Sequence, residues 1–131
     1  MDEELSALLD TSVLIARREE LRSPLPIRAA ISVVTLGELR AGVLLARDDA
    51  ARDGRQARFA AVRGAYAPLP VDENVADRYG EALAQARTER RATKATDLLI
   101  LATAAATGRP LFTLDRAQAA LAGALGVALA A

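Results

Sequence analysis

The sequence predicts a three-layer α/β/α domain with a central, mainly parallel sheet. Short apolar runs of strand length alternate along the chain with longer stretches of helical period, the pattern that builds a sheet covered by helices. The strand-length runs are apolar throughout, as strands buried on both faces are. At 131 residues and 52% hydrophobic, the chain holds enough apolar surface for one packed core, so residues 1–131 are read as a single domain.

In order, Leu5–Leu9 reads as a buried strand ending at Asp10, and Thr11-Ser12 opens a short helical run through Ala16. The Pro24–Pro26 stretch breaks regular structure, and Ala29–Val34 supplies a second β-rich segment. From Thr35 the period changes, placing Leu36, Leu39, Val43 and Leu44 on one helix face. A further helix spans Ala50–Tyr66 with Phe59 and Val62 inward, followed by an edge strand at Pro68–Val71, where prolines are tolerated. Asp72 or Glu73 then starts a long helix with Val75, Tyr79, Leu83 and Ala86 on one stripe. Thr93 or Thr96 is placed to cap the next helix, Asp97–Thr107, which Gly108 and Pro110 end. Leu111–Thr113 forms a strand, Asp115–Leu121 a short helix and Val127–Leu129 a final strand.

Composition narrows the chemistry. There is no cysteine, which removes disulfides, thiolate metal sites and cysteine nucleophiles, and no histidine, which removes Ser-His-Asp catalysis and typical zinc sites. Catalysis by this chain must rest on carboxylates, hydroxyls, Lys or Arg, or a bound metal, with no organic cofactor implied. The four aromatic residues make a base-stacking platform an unpromising grip on nucleic acid. Because the formal net charge is zero, any such substrate needs a local basic surface. The chain starts Met1-Asp2-Glu3-Glu4, acidic where a secretory leader is basic, and no apolar run reaches membrane-spanning length; the expected setting is the cytoplasm, away from membranes.

Four acids fall at one edge of such a sheet. Sites in open parallel sheets form beyond the carboxyl ends of the strands. Asp10 follows the first strand directly, and Glu38 lies about one turn into the helix after the second. Asp97 opens a helix that descends ~16 Å at the usual rise per residue; after the turn at Gly108-Arg109-Pro110 a strand brings Asp115 back to the starting edge. Each acid also has a plain structural reading: Asp10 and Asp115 as helix caps, Asp97 as a partner of its helix dipole, Glu38 as a solvated helix residue. Taken together, four converging carboxylates repel one another unless a cation intervenes. Hard oxygen ligands without His or Cys suit Mg²⁺ or Mn²⁺, ions that assist phosphodiester hydrolysis.

These residues carry a family resemblance. Leu8–Ile15 (LLDTSVLI) resembles the opening motif of PIN domains, and Ile31–Gly42 (ISVVTLGELRAG) is similar to their second, glutamate-bearing motif. Thr96–Ala104 (TDLLILATA) and Leu111–Asp115 (LFTLD) resemble the third and fourth, so the likeness runs from about Leu8 to Leu129. The resemblance implies a PIN-like fold and a magnesium-dependent ribonuclease of the VapC toxin type. It also implies an RNA substrate, a homodimer and a small VapB-like antitoxin whose tail blocks the acidic site. Carried over by position, Asp10 and Asp97 are the leading metal ligands, Asp115 completes the site directly or through water, and Glu38 acts through water or orients the attacking hydroxide. Ser12 and Thr113 match hydroxyl positions near the family site, with helix capping and turn bonding as their structural alternative.

Within Arg87–Lys94, the residues Arg90, Arg91 and Lys94 are candidate contacts for RNA phosphates, or else a solvated helix end. Arg40 and Arg116 flank acids and are candidate ion-pair partners. Rival readings fit less well. A haloacid-dehalogenase-like site wants a second Asp where Ser12 stands, and a receiver-like domain wants an acidic pair on the first strand edge with a lysine on the last. A catalytically inactive PIN-like module that binds RNA or protein is the remaining alternative, and loss of acids would mark it.

Overall fold

Among the described residues four parallel strands form the central sheet, in the spatial order Ala67–Leu69, Ala30–Ser32, Leu8–Leu9 and Leu111–Phe112. The computed structural model describes residues 6–21 and 24–130. Along the chain, β1 (Leu8–Leu9) leads into α1 (Thr11–Ile15) and a 3₁₀ turn (Arg18–Glu20), then β2 (Ala30–Ser32), α2 (Val33–Leu44), α3 (Asp49–Ala65) and β3 (Ala67–Leu69). The second half adds α4 (Glu73–Thr88), α5 (Ala95–Thr107), β4 (Leu111–Phe112) and α6 (Arg116–Ala124). In register, Leu8 lies beside Ala30 on one side and Leu111 on the other, and Leu9 beside Phe112.

Two-residue alternation sends successive side chains to opposite faces and builds two cores. Leu8, Ala30 and Leu111 join Ala82 and Ala86 of α4, Leu98 and Leu101 of α5 and Leu121 of α6 on one face. On the other, Leu9, Ile31 and Phe112 pack with Val13, Leu14, Leu39 and Val62 of α1, α2 and α3. Because both faces are covered, the strands carry no polar alternation, which is why their runs read as continuously apolar.

Several expectations shift. Val33 and Val34 belong to α2 and not to a strand: Ser32 accepts a hydrogen bond from Val34 N at 3.0 Å, and this cap ends β2 despite the β-branched residues that follow. Leu44 points to solvent while Leu39 and Val43 are buried, since at about 100° per residue it lies well round the helix from both. Leu5 lies outside the described residues. The third strand spans Ala67–Leu69 and pairs with β2 alone, so Pro68 does sit at an edge, but Pro70 and Val71 fall outside it. Neither Thr93 nor Thr96 caps α5: Lys94 holds the N-cap position without a side-chain bond. Near the C-terminus the expected strand at Val127–Leu129 reduces to a single parallel bridge between Leu111 and Leu129.

Three helices end the same way. In α5 the N–H of Arg109 donates to Ala104 O after Gly108 turns left-handed (φ 68°), and in α6 that of Val127 donates to Ala122 O after Gly126 (φ 73°). These are six-to-one C-terminal closures, and glycine serves them because it lacks the Cβ that clashes at positive φ. At the end of α4 the same closure, Arg91 N to Ala86 O at 2.8 Å, turns on Arg90 (φ 55°), the one non-glycine residue with positive φ among those described. Arg90→Gly is therefore expected to stabilise the protein by roughly 0.5–1 kcal/mol, seen as a higher urea midpoint at unchanged slope. A lower midpoint would show that the arginine side chain itself holds the turn.

Candidate active site

The chain leaves β1 at Asp10, which is only 3% exposed. Asp10 occupies the N-cap position of α1 but makes no capping bond, so the cap reading fails for it. Instead its Oδ2 accepts from Ser12 Oγ at 2.7 Å and from Thr113 Oγ1 at 2.8 Å. The same hydroxyls also accept: Ser12 Oγ from Leu114 N at 3.1 Å, Thr113 Oγ1 from Asp115 N at 3.0 Å. Thus the loop after β1 and the loop after β4 are stitched together across the carboxylate. The second oxygen, Oδ1, is buried without a hydrogen-bond partner among the described residues.

β1 is flanked by β2 and β4, and the chain runs from β1 outward through β2 to β3 before crossing to β4. The crevice between the β1 and β4 loops is therefore the switch point where open parallel sheets form their sites. The other acids reach this edge from three directions. Glu38, in α2, accepts at Oε1 from Thr11 Oγ1 at 2.8 Å. Asp97 lies in the first turn of α5, and its backbone carbonyl accepts from Gln118 Nε2 at 2.8 Å. Asp115 does cap α6, its Oδ1 accepting from Ala117 N and Gln118 N at 2.8 and 3.1 Å.

Asp97 senses the other three. Its carboxyl is held above the ordinary aspartate value of 3.8, first by burial, then by the negative charges of Asp10, Glu38 and Asp115, with Lys94 pulling the other way. The four acids therefore share one field. Among the described residues, however, no three acids stand close enough to enclose a cation directly. The chemistry of the donors, hard oxygens alone, suits an ion such as Mg²⁺, which can be held by one or two carboxylates with several waters. The unpartnered Asp10 Oδ1 is the oxygen most in need of a positive partner.

The basic loop resolves into three different situations. Lys94 lies near enough to favour the charged form of Asp97. Arg91 is engaged by Glu89, Nε to Oε2 at 2.6 Å, and that hydrogen bond is the leading reason the Glu89 carboxyl is held below its usual range. Arg90 is exposed on its left-handed turn. The expectation that Arg40 and Arg116 pair with acids fails: Arg40 Nη1 donates to Gln56 Oε1 at 3.4 Å, and the ion pairs among the described residues are Arg52–Asp49, Arg78–Glu81 and Arg91–Glu89. A separate cleft of about 590 Å³, bordered by Arg78, Glu81, Arg109 and Pro110, lies where β4 begins, and none of the four acids lines it.

Three site residues were not singled out from the sequence. Gln118 is 3% exposed and joins the cap of α6 to the backbone of Asp97. Its signal was present, since Asp115 followed three residues later by Gln has the spacing of a capping box. Thr11 and Thr35 meet at 3.0 Å between their hydroxyls, 24 residues apart in the chain. No local pattern announces that pair.

Comparison with known proteins agrees with this geometry. The PIN domain family model matches residues 7–124. Ribonuclease VapC8 of Mycobacterium tuberculosis (strain CDC 1551 / Oshkosh) is 45% identical over 100 residues, 74% of this chain and 88% of that protein. Ribonuclease VapC5 of strain ATCC 25618 / H37Rv is 38% identical over 125 residues, 93% of this chain and 92% of the relative. A crystal structure of VapBC-5 from Mycobacterium tuberculosis, a member of the VapBC family of toxin–antitoxin systems, superposes with a TM-score of 0.81 at 38% identity, covering 95% of this chain and 96% of that one. The chain belongs to the PIN-domain family, among its VapC members.

The field on Asp97 has a stability consequence. A carboxyl whose folded value is raised binds its proton more tightly when folded, so its contribution to stability is present below the unfolded value and lost as pH rises through the folded one. In chelator at neutral pH, Asp97→Asn should therefore raise the thermal midpoint above wild type, and the gain should disappear as pH falls below 3.8. An Asn variant that melts below wild type at neutral pH would show that Asp97 is not held against burial and repulsion.

Proposed function

We propose that this protein is a divalent-metal-dependent endoribonuclease, the toxin half of a type II toxin–antitoxin pair, working in the cytoplasm and restrained by a VapB-like antitoxin. The observation that carries the reading is the buried Asp10 carboxylate, with one oxygen fixed by Ser12 and Thr113 and the other unpartnered, at the centre of the field that also acts on Asp97. The names of its VapC relatives, both ribonucleases, support the activity, and the VapBC-5 likeness supports the antitoxin. Presence of all four acids argues against an inactive module.

Asp10 and Asp97 would hold Mg²⁺ or Mn²⁺, with Asp115 and Glu38 acting directly or through water. When bound, such an ion supplies an activated water and offsets charge building on the phosphodiester. The chain's own residues do the rest. Ser12 and Thr113 donate to Asp10 Oδ2 and so fix the direction in which Oδ1 faces. Glu38 orients the attacking water, whose oxygen bonds to phosphorus as one P–O ester bond breaks. Arg90 and Lys94 contact RNA phosphates beside the acids, and Arg91 joins them by exchanging Glu89 for phosphate. Such contacts position the strand and do not read its bases. The enzyme works as a homodimer, as its family implies.

Purified protein should cleave single-stranded RNA when Mg²⁺ or Mn²⁺ is added and stop when it is chelated. Asp97→Asn should lower kcat by about a thousandfold or more, the scale of losing one preorganised electrostatic group at a reacting centre. A variant that cut RNA as fast as wild type would refute the site.

A further inference from the structure

We propose that Thr35 is a positioning residue for Glu38, acting through Thr11 along a directed hydroxyl relay. This rests on the ribonuclease reading for its consequence, but on geometry alone for its existence. Thr11 Oγ1 stands 2.8 Å from Glu38 Oε1 and 3.0 Å from Thr35 Oγ1. A carboxylate can only accept, so the single Thr11 proton goes to Glu38. The bond between the two threonines then has one direction left: Thr35 donates and Thr11 accepts. Each hydroxyl polarises the next, so the chain Thr35 to Thr11 to Glu38 strengthens the last bond beyond what an isolated threonine gives.

The placement of Thr35 supports a role beyond packing. It is fully buried, at 0% exposure, in a helix whose neighbours at that depth are Leu39 and Val43. Valine has the same shape and no group to satisfy, so a hydroxyl here is explained by its bond and not by the space it fills. A threonine within a helix commonly returns its proton to the carbonyl four residues back, as Thr103 does to Leu99 at 2.8 Å and Thr107 to Thr103 at 2.7 Å. Thr35 instead reaches across to α1.

The relay joins α2, which carries Glu38, to the first residue of α1, which follows Asp10 directly. It therefore ties together two acids whose segments follow different strands. It also engages Glu38 at Oε1 alone, so that Oε2 carries the remaining acceptor capacity of the carboxylate. Without the Thr35 proton, Thr11 is free to rotate about χ1, and Glu38 loses the anchor that sets its rotamer. Small errors in placement at a reacting centre are expensive in rate.

The experiment compares wild type, Thr35→Val and Thr35→Ser. Thr35→Val should still fold, with a thermal midpoint within several degrees of wild type, and lower kcat for RNA cleavage about tenfold or more with KM little changed, and Thr35→Ser should restore most of the loss. In metal-free protein labelled with ¹³C at glutamate, the Glu38 carboxyl resonance should move in Thr35→Val and return in Thr35→Ser. Wild-type kcat in Thr35→Val, or a loss that serine does not restore, would overturn the positioning role. An unmoved Glu38 resonance would overturn the relay itself. A wild-type protein that cleaves no RNA would instead defeat the ribonuclease reading, and the carboxyl resonance would still decide the relay.

Discussion

Burying a carboxylate is unfavourable unless donors or a cation meet it, and in this fold that constraint falls on Asp10 at the end of the central strand. Much of the acid edge follows from how it is met. Ser12 and Thr113 turn inward to donate, and the backbone N–H groups of Leu114 and Asp115 then close on their oxygens. A two-residue strand such as β4 has few ladder bonds of its own, so these side-chain bonds hold the start of α6 where the ladder cannot. The acid edge is thus also part of what secures the sheet, because the hydroxyls that meet Asp10 also tie the two loops together.

The fold was legible in the sequence where one physical period governed a whole segment. α4 is the clear case: Asp72 caps it, and Val75 and Ala86 lie on its buried stripe as the spacing requires. Legibility failed where a single local bond outweighed propensity. Ser32 capping Val34 converts a β-branched pair into helix. At Lys94 the failure runs the other way, because α5 starts without any side-chain cap for the sequence to announce.

The common edge of the four acids was legible for a different reason. Strand ends and helix lengths fix where the chain returns, so Asp97 and Asp115 can be placed on one edge by counting residues. What counting cannot give is how each carboxylate is held. Asp10 and Asp115 both precede helices and look alike in sequence, yet only Asp115 caps its helix, while Asp10 is claimed by hydroxyls from two loops. Thr35 is harder still. Its partner lies 24 residues away, and an apolar helix face gives no hint that one buried position carries a proton to donate.

Helix α3 stands apart from the rest of the molecule in one respect. α5 buries six residues, whereas α3, though longer, buries only Val62. Regions with few buried apolar side chains open at lower free energy than the core to which they attach. In native-state hydrogen exchange, the α3 amides would lose protection well before those of β1 and α5, as a separate cooperative unit. Asp10, Asp97 and Asp115 sit on the slow-exchanging part of the molecule, while Glu38 rides on the helix that α3 covers. Of the four acids, Glu38 alone thus sits on the helix against which the labile one packs, and opening of α3 would uncover that helix while leaving the surroundings of the other three as they are.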